Sequence, residues 1–280
     1  MDLPQDRYIV VEGYKIRYWQ EGNAGDYLLL LHGINASIEY WHKNIFELAK
    51  HYRVVLLDLP GFGKSDKPNV IYDLNFFAEF VAKFCQALGI ESMHLAAHSL
   101  GGAIGLQFAL NNLPQIKKLV LADGVGFALQ VIIFFRLMGR PIIGKILTNI
   151  SKSIFTKALK TNVYDPAVIT EELVNILYPL AHDSKTQKVV QYITKHNTDW
   201  QGILATTLQP LWHRFIELKD VPVLLIWGKQ DNLLATDIHV PAAKKLIPHV
   251  KIELLDCCGH IPQLERPLEF NRLVIDFLGG

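Results

Sequence analysis

Ser99 lies in a segment whose residue types and spacing are suited to nucleophilic catalysis. The segment Ala-His-Ser-Leu-Gly-Gly, residues 97–102, follows an apolar run at 93–97 and precedes a helical pattern. A serine in a sharp strand-to-helix turn, with small residues two positions away on each side, is typical of a nucleophile elbow, although Ala97 stands where glycine is usual. Such a turn would expose the Ser99 hydroxyl and direct the Leu100 amide, at a helix N-terminus, toward an oxyanion. The structural alternative is a helix that Ser99 merely caps.

A serine hydroxyl needs a base within hydrogen-bond reach, and the base needs a third group to orient it. His260 follows the last apolar run, 250–255, and Asp231 comes four residues after the apolar run 221–227. We therefore predict Ser99 as nucleophile, His260 as general base and Asp231 as the orienting acid. Asp123, directly after the run 116–122, is the alternative acid, and it could instead cap the entry into the segment that follows.

A second oxyanion donor is expected from the turn after the run 27–31, and Ile34 is the position we favour. His32, in the same turn, is interpreted as a structural histidine that braces it. Lys64 and Ser65 resemble the end of a phosphate-binding loop, but Asp58 occupies the position where that loop requires glycine. No HExxH or paired CxxC is present, so the sequence predicts neither a metal nor any other cofactor.

The elements around these residues indicate an α/β protein with a largely parallel sheet. Residues 7–11 and 14–21 flank Glu12-Gly13 and predict an antiparallel hairpin. Six continuous apolar runs then predict strands buried on both faces, at residues 27–31, 53–57, 93–97, 116–122, 221–227 and 250–255. The apolar side chains at 77, 80, 81, 84 and 88 share one face of a helix that Asp73 would cap. In such folds ligands bind at the carboxyl ends of the strands, where the candidate residues lie.

The alternation of strand and helix stops between residues 124 and 215, where only helical periodicity continues. A segment this long predicts a helical insertion and not a plain loop. It begins with the apolar run 127–135 and continues through Ile142, Ile143 and Ile146. These side chains could pack against one another or line a site for an apolar ligand, and the sequence leaves both readings open.

Overall composition limits the classes of partner. The chain has 280 residues, half of them hydrophobic, and 28 Lys plus Arg against 27 Asp plus Glu. A net charge of +1 provides no field for nucleic acid or an anionic membrane, so we predict no nucleic-acid partner. Three cysteines form no disulfide framework, which favours a cytoplasmic location. The most apolar stretch, residues 124–135, is shorter than the ~20 residues that span a bilayer, so no transmembrane segment is predicted. The oligomeric state is open, and a homodimer is compatible with the sequence.

From about residue 7 to 278 the chain resembles capped enzymes of the α/β-hydrolase fold, of the epoxide hydrolase and C–C hydrolase type. The matching motifs are His-Gly at 32–33, Asp-Leu-Pro-Gly-Phe-Gly-Lys-Ser-Asp at 58–66, the Ser99 segment, Trp-Gly-Lys-Gln-Asp at 227–231 and Gly-His at 259–260. The order Ser99, Asp231, His260 is also that of α/β-hydrolases. The resemblance implies a mostly parallel eight-stranded sheet flanked by helices. It also implies a core of residues 1–124 and 216–280, with residues 125–215 inserted after strand 6 as a helical lid.

The resemblance excludes some reactions of the fold family but leaves more than one possible. Epoxide hydrolases and haloalkane dehalogenases use an aspartate nucleophile, and Ser99 occupies that place. The C-terminal region is similar to meta-cleavage product hydrolases, which split carbon–carbon bonds in dienoates, but His98 and Ile261 replace the Asn and Trp usual in that group. We therefore predict a serine hydrolase that cleaves carboxylic esters of a hydrophobic small molecule through an acyl-enzyme. A C–C bond hydrolase is the first alternative, and a ligand-binding module on the same fold is the second.

Overall fold

An eight-stranded sheet forms the centre of the protein. The computed structural model describes residues 1–140 and 142–280 in full and the backbone of Pro141. The strands are β1 Arg7–Val11, β2 Tyr14–Glu21, β3 Tyr27–Leu31, β4 Arg53–Leu57, β5 Met93–His98, β6 Ile116–Ala122, β7 Val223–Gly228 and β8 Lys251–Leu255. Their order across the sheet is β1-β2-β4-β3-β5-β6-β7-β8. The pairs β1/β2 and β2/β4 are antiparallel and the other five are parallel, which confirms the predicted hairpin and mostly parallel sheet.

Five of the eight strands have the predicted boundaries, and those of β5, β7 and β8 differ by one or two residues. β7 begins at Val223 and not at residue 221. Pro222 has no N–H to donate to a neighbouring strand, so the regular ladder starts only after it. The Pro222 carbonyl still accepts a hydrogen bond from Leu119 of β6, at 2.9 Å.

Helices flank the sheet and fill the long interval between β6 and β7. The first three are α1 Ile45–Leu48, α2 Leu74–Ala87 and α3 Leu100–Asn111. The six between β6 and β7 are α4 Ile133–Met138, α5 Pro141–Thr148, α6 Lys152–Thr161, α7 Glu171–Ala181, α8 Ser184–Asn197 and α9 Ala205–Arg214. The last three are α10 Thr236–Leu246, α11 Pro262–Glu265 and α12 Pro267–Gly279. Short 3-10 turns occur at Ile38–Trp41, Leu113–Gln115, Pro166–Val168 and Phe215–Asp220.

Both faces of the sheet are buried, which explains why its strands have continuous apolar sequences. Side chains of β3 alternate, so that Leu29 and Leu31 pack in one hydrophobic cluster and Leu28 and Leu30 in another. The first cluster includes the buried face of α2. Asp73 caps α2 as predicted, because its carboxylate accepts a hydrogen bond from the Phe76 amide at 2.8 Å.

Helices α6 and α7 take part in a third hydrophobic cluster. It contains Phe155 and Leu159 of α6 and Leu173, Val174 and Leu177 of α7, together with Tyr40, Ile261 and Leu264 from outside the segment. Packing among these residues accounts for part of the apolar content of the segment. Within the described residues, none of the helices has both the length and the apolar character required to cross a membrane.

Candidate active site

The turn between β5 and α3 holds Ser99 in a backbone conformation that few residues adopt. Ser99 has φ +54° and ψ −123°, directly between the last residue of the strand and the first of the helix. Its carbonyl accepts hydrogen bonds from the amides of Gly102 at 2.8 Å and Val125 at 2.9 Å. A Cβ at Gly101 would lie 2.6 Å from the His32 carbonyl oxygen, and one at Gly102 would lie 2.7 Å from the Gly124 Cα. The sharp turn therefore needs glycine at both positions.

The three residues predicted as a triad form a continuous hydrogen-bonded chain. His260 Nε2 lies 3.0 Å from Ser99 Oγ, and His260 Nδ1 lies 2.8 Å from Asp231 Oδ2. The other carboxylate oxygen of Asp231 accepts from the amides of Leu233 at 2.7 Å and Leu234 at 3.1 Å. A carboxylate can only accept, so Nδ1–H donates to Asp231 and the Nε2 lone pair is left to take a proton from the serine. All three side chains are buried.

Backbone contacts fix the loop that carries His260. Its amide donates to the Asn162 carbonyl at 2.8 Å, and its carbonyl accepts from His98 Nε2, also at 2.8 Å. His98 therefore braces the loop of His260. Burial lowers the pKa of His98 to about 3, so the imidazole is neutral and keeps its proton on Nε2.

The two candidate acids have different surroundings. Burial alone would raise the pKa of Asp231, but the charge and hydrogen bond of His260 hold it below its ordinary value. Burial and the neighbouring charge of Asp231 raise the pKa of Asp123 well above its ordinary value. One oxygen of Asp123 accepts from the Gly228 amide at 3.1 Å. Asp123 therefore lies beside Asp231 and caps no helix at the entry to the segment between β6 and β7.

Asp123, Asp231 and His260 each bring one potential metal-ligand atom within 4.8 Å of the others. The Nδ1 of His260 and the Oδ2 of Asp231 already bond each other, and Nε2 faces Ser99. The donor atoms are thus engaged in the hydrogen-bonded chain, and the arrangement suits proton transfer better than it suits a cation.

Two backbone amides are placed near Ser99 by separate elements. Leu100 is the first residue of α3, so its amide has no acceptor within the helix. Ile34 lines the same cavity as Ser99, Leu100 and His260. The turn before Ile34 approaches the elbow closely, because a Cβ at Gly33 would lie 2.9 Å from the Ser99 Cβ.

His32 fixes this turn from inside the protein. Its Nε2 accepts a hydrogen bond from the Leu59 amide at 3.0 Å, and its Nδ1 donates to the Gly33 carbonyl at 2.8 Å. Burial lowers the pKa of His32 to about 4. The neutral ring can therefore accept a hydrogen bond at Nε2 and donate one at Nδ1. His32 therefore braces the turn, as predicted, and lies outside the Ser99 chain.

A buried charge cluster behind the Ile34 turn was not found by sequence reasoning. The Arg17 guanidinium lies 2.7 Å from Glu39, 3.2 Å from Asp58 and 2.6 Å from Asp6. Asp58 also accepts from the amides of Ile38 at 2.9 Å and Lys64 at 2.8 Å, so it ties the turn to the segment 58–66. This confirms the structural reading of that segment. In the sequence, only Asp58 at the start of this segment indicated the charge cluster, because Arg17 and Glu39 come from distant parts of the chain.

Ser99 and His260 open into an apolar cavity of about 770 Å³, counted to its open mouth. One wall comes from the segment between β6 and β7. Its members are Val125, Val131, Phe135, Ile193, Thr194, Asn197, Thr198, Ile203, Thr207 and Leu208. A second cavity lies on the other side of Ile34 and Phe135, which line both, and it includes Asn35, Tyr40 and His182. The described side chains that line the two cavities include no lysine or arginine.

Comparison with known proteins agrees with this architecture. The family described as "alpha/beta hydrolase fold" matches residues 26–140 and 179–267. A 2-hydroxy-6-oxononadienedioate/2-hydroxy-6-oxononatrienedioate hydrolase of Burkholderia vietnamiensis is 30% identical, over 96% of this chain and 93% of that protein. A solved membrane phospholipase A is 26% identical, with a TM-score of 0.78 over 99% of this chain and 86% of that one.

A further solved structure extends the likeness of fold. The 2-hydroxy-6-oxo-6-phenylhexa-2,4-dienoate hydrolase of Rhodococcus sp. strain RHA1 has a TM-score of 0.84, with 22% identity, over 99% of both chains. The family match covers well over half of the sequence, and the eight-stranded sheet and the helices that flank it are those of the family. The chain is therefore an enzyme of the α/β-hydrolase fold family.

Proposed function

We propose that this enzyme hydrolyses carboxylic esters whose acyl group is hydrophobic. The observation that carries the proposal is the Ser99–His260–Asp231 chain at the end of an apolar cavity lined by no cationic side chain among the described residues. A neutral, apolar acyl chain can leave water for such a cavity at a gain of about 0.8 kcal/mol per buried CH₂. An anionic group buried there would lack a partner.

The reaction follows from the hydrogen-bond directions. Ser99 Oγ attacks the ester carbonyl carbon while His260 Nε2 takes the hydroxyl proton, and the carbonyl oxygen becomes an oxyanion. The amides of Leu100 and Ile34 donate to that oxyanion. His260 then gives its proton to the leaving alkoxy oxygen, which departs as the alcohol. Water attacks the acyl-enzyme by the same route, and the acid and free Ser99 result. Asp231 holds the imidazole and stabilises its charged form throughout.

Helices α4, α8 and α9 complete the site in this proposal. Phe135 of α4, Ile193 of α8 and Leu208 of α9 line the cavity into which Ser99 opens. We therefore assign residues 125–215 as a cap, with residues 1–124 and 216–280 as the catalytic core. A cap of this kind excludes water from the acyl-binding space.

C–C bond hydrolysis is the second candidate, because the Burkholderia relative is named for a dienedioate substrate. A dienedioate carries two carboxylates, and each would need a charged or well-placed donor when buried. The uncharged polar side chains that could donate are Asn197, Thr198 and Thr207 of the Ser99 cavity and Asn35 and His182 of the second cavity. The apolar lining around Ser99 fits an ester of a hydrophobic acid better.

A chain-length series of chromogenic esters tests the proposal. We expect hydrolysis with an optimum at medium or long acyl chains, and loss of at least about a thousandfold in kcat/KM in Ser99→Ala. A dienoate substrate run in parallel separates the two chemistries. Turnover of the dienoate and of no ester would reject the ester proposal. Tight, saturable binding with turnover of neither would instead indicate a ligand-binding module.

A further inference from the structure

Helix α5 exposes its isoleucines instead of burying them. Ile142 is 78% exposed and Ile146 is 66% exposed, and their i,i+4 spacing makes them neighbours on one face. Ile143 is exposed too, and Ile133 at the start of α4 is 55% exposed. Single exposed apolar side chains are ordinary, but several on adjoining short helices form a patch that marks an interaction site. We call Ile133, Ile142, Ile143 and Ile146 the isoleucine patch.

The opposite side of α5 is already occupied. The Thr148 carbonyl and hydroxyl accept hydrogen bonds from Gln187 and Gln191 of α8, at 2.9 and 2.7 Å. Gly144 is buried and its amide bonds the Arg140 carbonyl at 2.6 Å. The isoleucine patch is thus the outward face of a helix that is anchored on its inner side, so packing within this chain does not account for it.

The segment that contains the patch is rich in positive charge. Residues 124–164 contain six Lys or Arg residues and no Asp or Glu, so this stretch carries +6 in a chain whose net charge is +1. The six are Arg136, Arg140, Lys145, Lys152, Lys157 and Lys160. Lys145 lies on the exposed face of α5 itself, between Ile142 and Ile146, and the three lysines of α6 are exposed.

Trp200 borders the same surface. The Arg140 guanidinium lies 4.5 Å from the centre of its ring, and Arg136 donates to its carbonyl at 3.1 Å. The indole is 61% exposed. Lys195, also exposed, approaches Gly139 through its backbone, which adds another cation at the junction of α4 and α5. The neighbouring acid, Asp199, accepts from the amides of Gln201 and Gly202 through one oxygen.

We propose that the isoleucine patch docks this enzyme on an anionic phospholipid bilayer. Exposed aliphatic side chains on a short helix, with Lys and Arg around them and Trp at the edge, are the combination that interfacial membrane helices use. The isoleucines enter the boundary between headgroups and acyl chains, and the exposed Lys145 faces the phosphates.

Charge argues against the other occupants. A second copy of this chain would bring one cationic surface against another, which like-charge repulsion opposes. Protein interfaces also deplete lysine at their centre, whereas Lys145 lies between two of the isoleucines. A nucleic acid would offer the isoleucines no apolar surface. A negatively charged lipid bilayer offers an anionic surface to the cationic side chains and an apolar interior to the isoleucines.

The position of the patch connects docking to the cavity. Helix α4 presents Ile133 outward and Phe135 to the cavity that holds Ser99. A docked molecule would therefore face the bilayer with the helix that covers its acyl-binding space. On the proposed ester function, the substrate class that this geometry favours is a lipid ester drawn from the membrane.

Co-sedimentation with vesicles tests the docking without any need for catalysis. The probes are vesicles of phosphatidylcholine alone and of phosphatidylcholine mixed with phosphatidylglycerol. We expect the wild type to bind the mixed vesicles at least tenfold more tightly than the neutral ones, and added salt to weaken that binding. Lys145→Gln should weaken it by about fivefold.

The decisive variant is Ile142→Glu combined with Ile146→Glu, with Ile216→Glu as the matched control. Ile216 is 74% exposed and lies outside the patch, so its substitution should leave binding unchanged. The double variant should lose binding to the mixed vesicles by at least tenfold. Equal binding by the double variant, or failure of the wild type to bind mixed vesicles, would overturn the proposal.

Two further readouts keep the proposals apart. Both isoleucines lie on the surface, so the substitutions should leave the protein folded. The melting temperature of each variant checks this. Hydrolysis of a short, soluble ester should be the same in the double variant and the wild type. Vesicle binding without any ester turnover would support docking and reject the ester function. Ester turnover without vesicle binding would support the ester function and reject docking.

Discussion

Asp231 and Asp123 lie side by side, but their hydrogen bonds give them different tasks. Asp231 bonds His260 Nδ1, whereas Asp123, whose pKa is raised well above its ordinary value by burial and the charge of Asp231, accepts from the Gly228 amide. Asp231→Asn should place an amide NH₂ against Nδ1, favour the wrong imidazole tautomer and lower kcat on an ester by up to roughly 10⁴-fold. Asp123→Asn can still accept from Gly228 and donate to Asp231, so we expect a loss of no more than about tenfold.

Steady-state kinetics on one chromogenic ester, with both variants and the wild type, checks this assignment. Thermal melts should show both variants folded at the assay temperature. If Asp123→Asn lost as much activity as Asp231→Asn, the two carboxyls would act as one unit and Asp231 would not be the sole orienting acid.

Sequence order was enough to select Ser99, Asp231 and His260, because each follows a different strand and parallel strands end at one edge of a sheet. It favoured Asp231 as the acid but kept Asp123 as an alternative. β6 and β7 are neighbours in the sheet, so the residues that follow them become adjacent although 108 positions separate them. Only the observed direction of each hydrogen bond distinguishes Asp231 from Asp123.

At the scale of elements, the β5–α3 turn keeps a non-glycine residue where glycine would be favoured. Ser99 has φ +54°, and its side chain is required only if it acts as the nucleophile. Ser99→Ala retains the Cβ and its strain, whereas Ser99→Gly removes both. We expect Ser99→Gly to be about 1 kcal/mol more stable than Ser99→Ala.

Urea unfolding of the two variants measures that difference directly, since neither is expected to have activity. Gly101 and Gly102, which complete the turn, are the same in both variants, so the comparison isolates the effect of the Cβ at position 99. A Ser99→Gly variant that is less stable than Ser99→Ala would mean that the surrounding contacts, and not the need for a nucleophile, hold the turn in this conformation.

The apolar run 127–135 shows how far periodicity predicts an element's role. Phe127 is buried, Val131 and Phe135 line the cavity, and Ile133 is exposed. The sequence offered core packing and ligand lining as alternatives, and the structure contains both together with an exposed part. Helical spacing identifies the faces of α4, but not what covers each face, because its neighbour α8 comes about 50 residues later in the chain.

At the scale of the whole molecule, net charge proved a poor guide to local charge. The net charge is +1, yet residues 124–164 carry six cations and the rest of the chain has 22 Lys plus Arg against 27 Asp plus Glu. The vesicle experiment tests the expectation that no field attracts an anionic membrane at the segment that contains α4–α6. Its charge is positive at any pH at which lysine and arginine are protonated.

Histidines whose pKa is lowered in the folded protein make folding stability depend on pH. Partial or full burial lowers the pKa of five of them, to about 4 for His32 and about 3 for His98. The five are His32, His42, His94, His98 and His239. In the unfolded chain each binds a proton below its ordinary pKa of 6.5, so unfolding takes up protons as the pH falls. Asp58 and Asp123 have the opposite effect, because burial raises their pKa and the folded protein then binds protons that the unfolded chain releases. These two carboxyls are fewer than the five histidines.

We therefore expect the free energy of unfolding to decrease as the pH is lowered from about 7 to about 5, by about 1.4 kcal/mol per pH unit for each net proton taken up. Urea titrations across this range measure the slope. His239 is buried and donates to the Gln130 carbonyl at 2.9 Å, a bond that Gln can also make, so His239→Gln should reduce the slope. His213→Gln, at an exposed position of α9, should leave it unchanged. A stability that is constant or rises on acidification would show that the buried carboxyls outweigh the histidines.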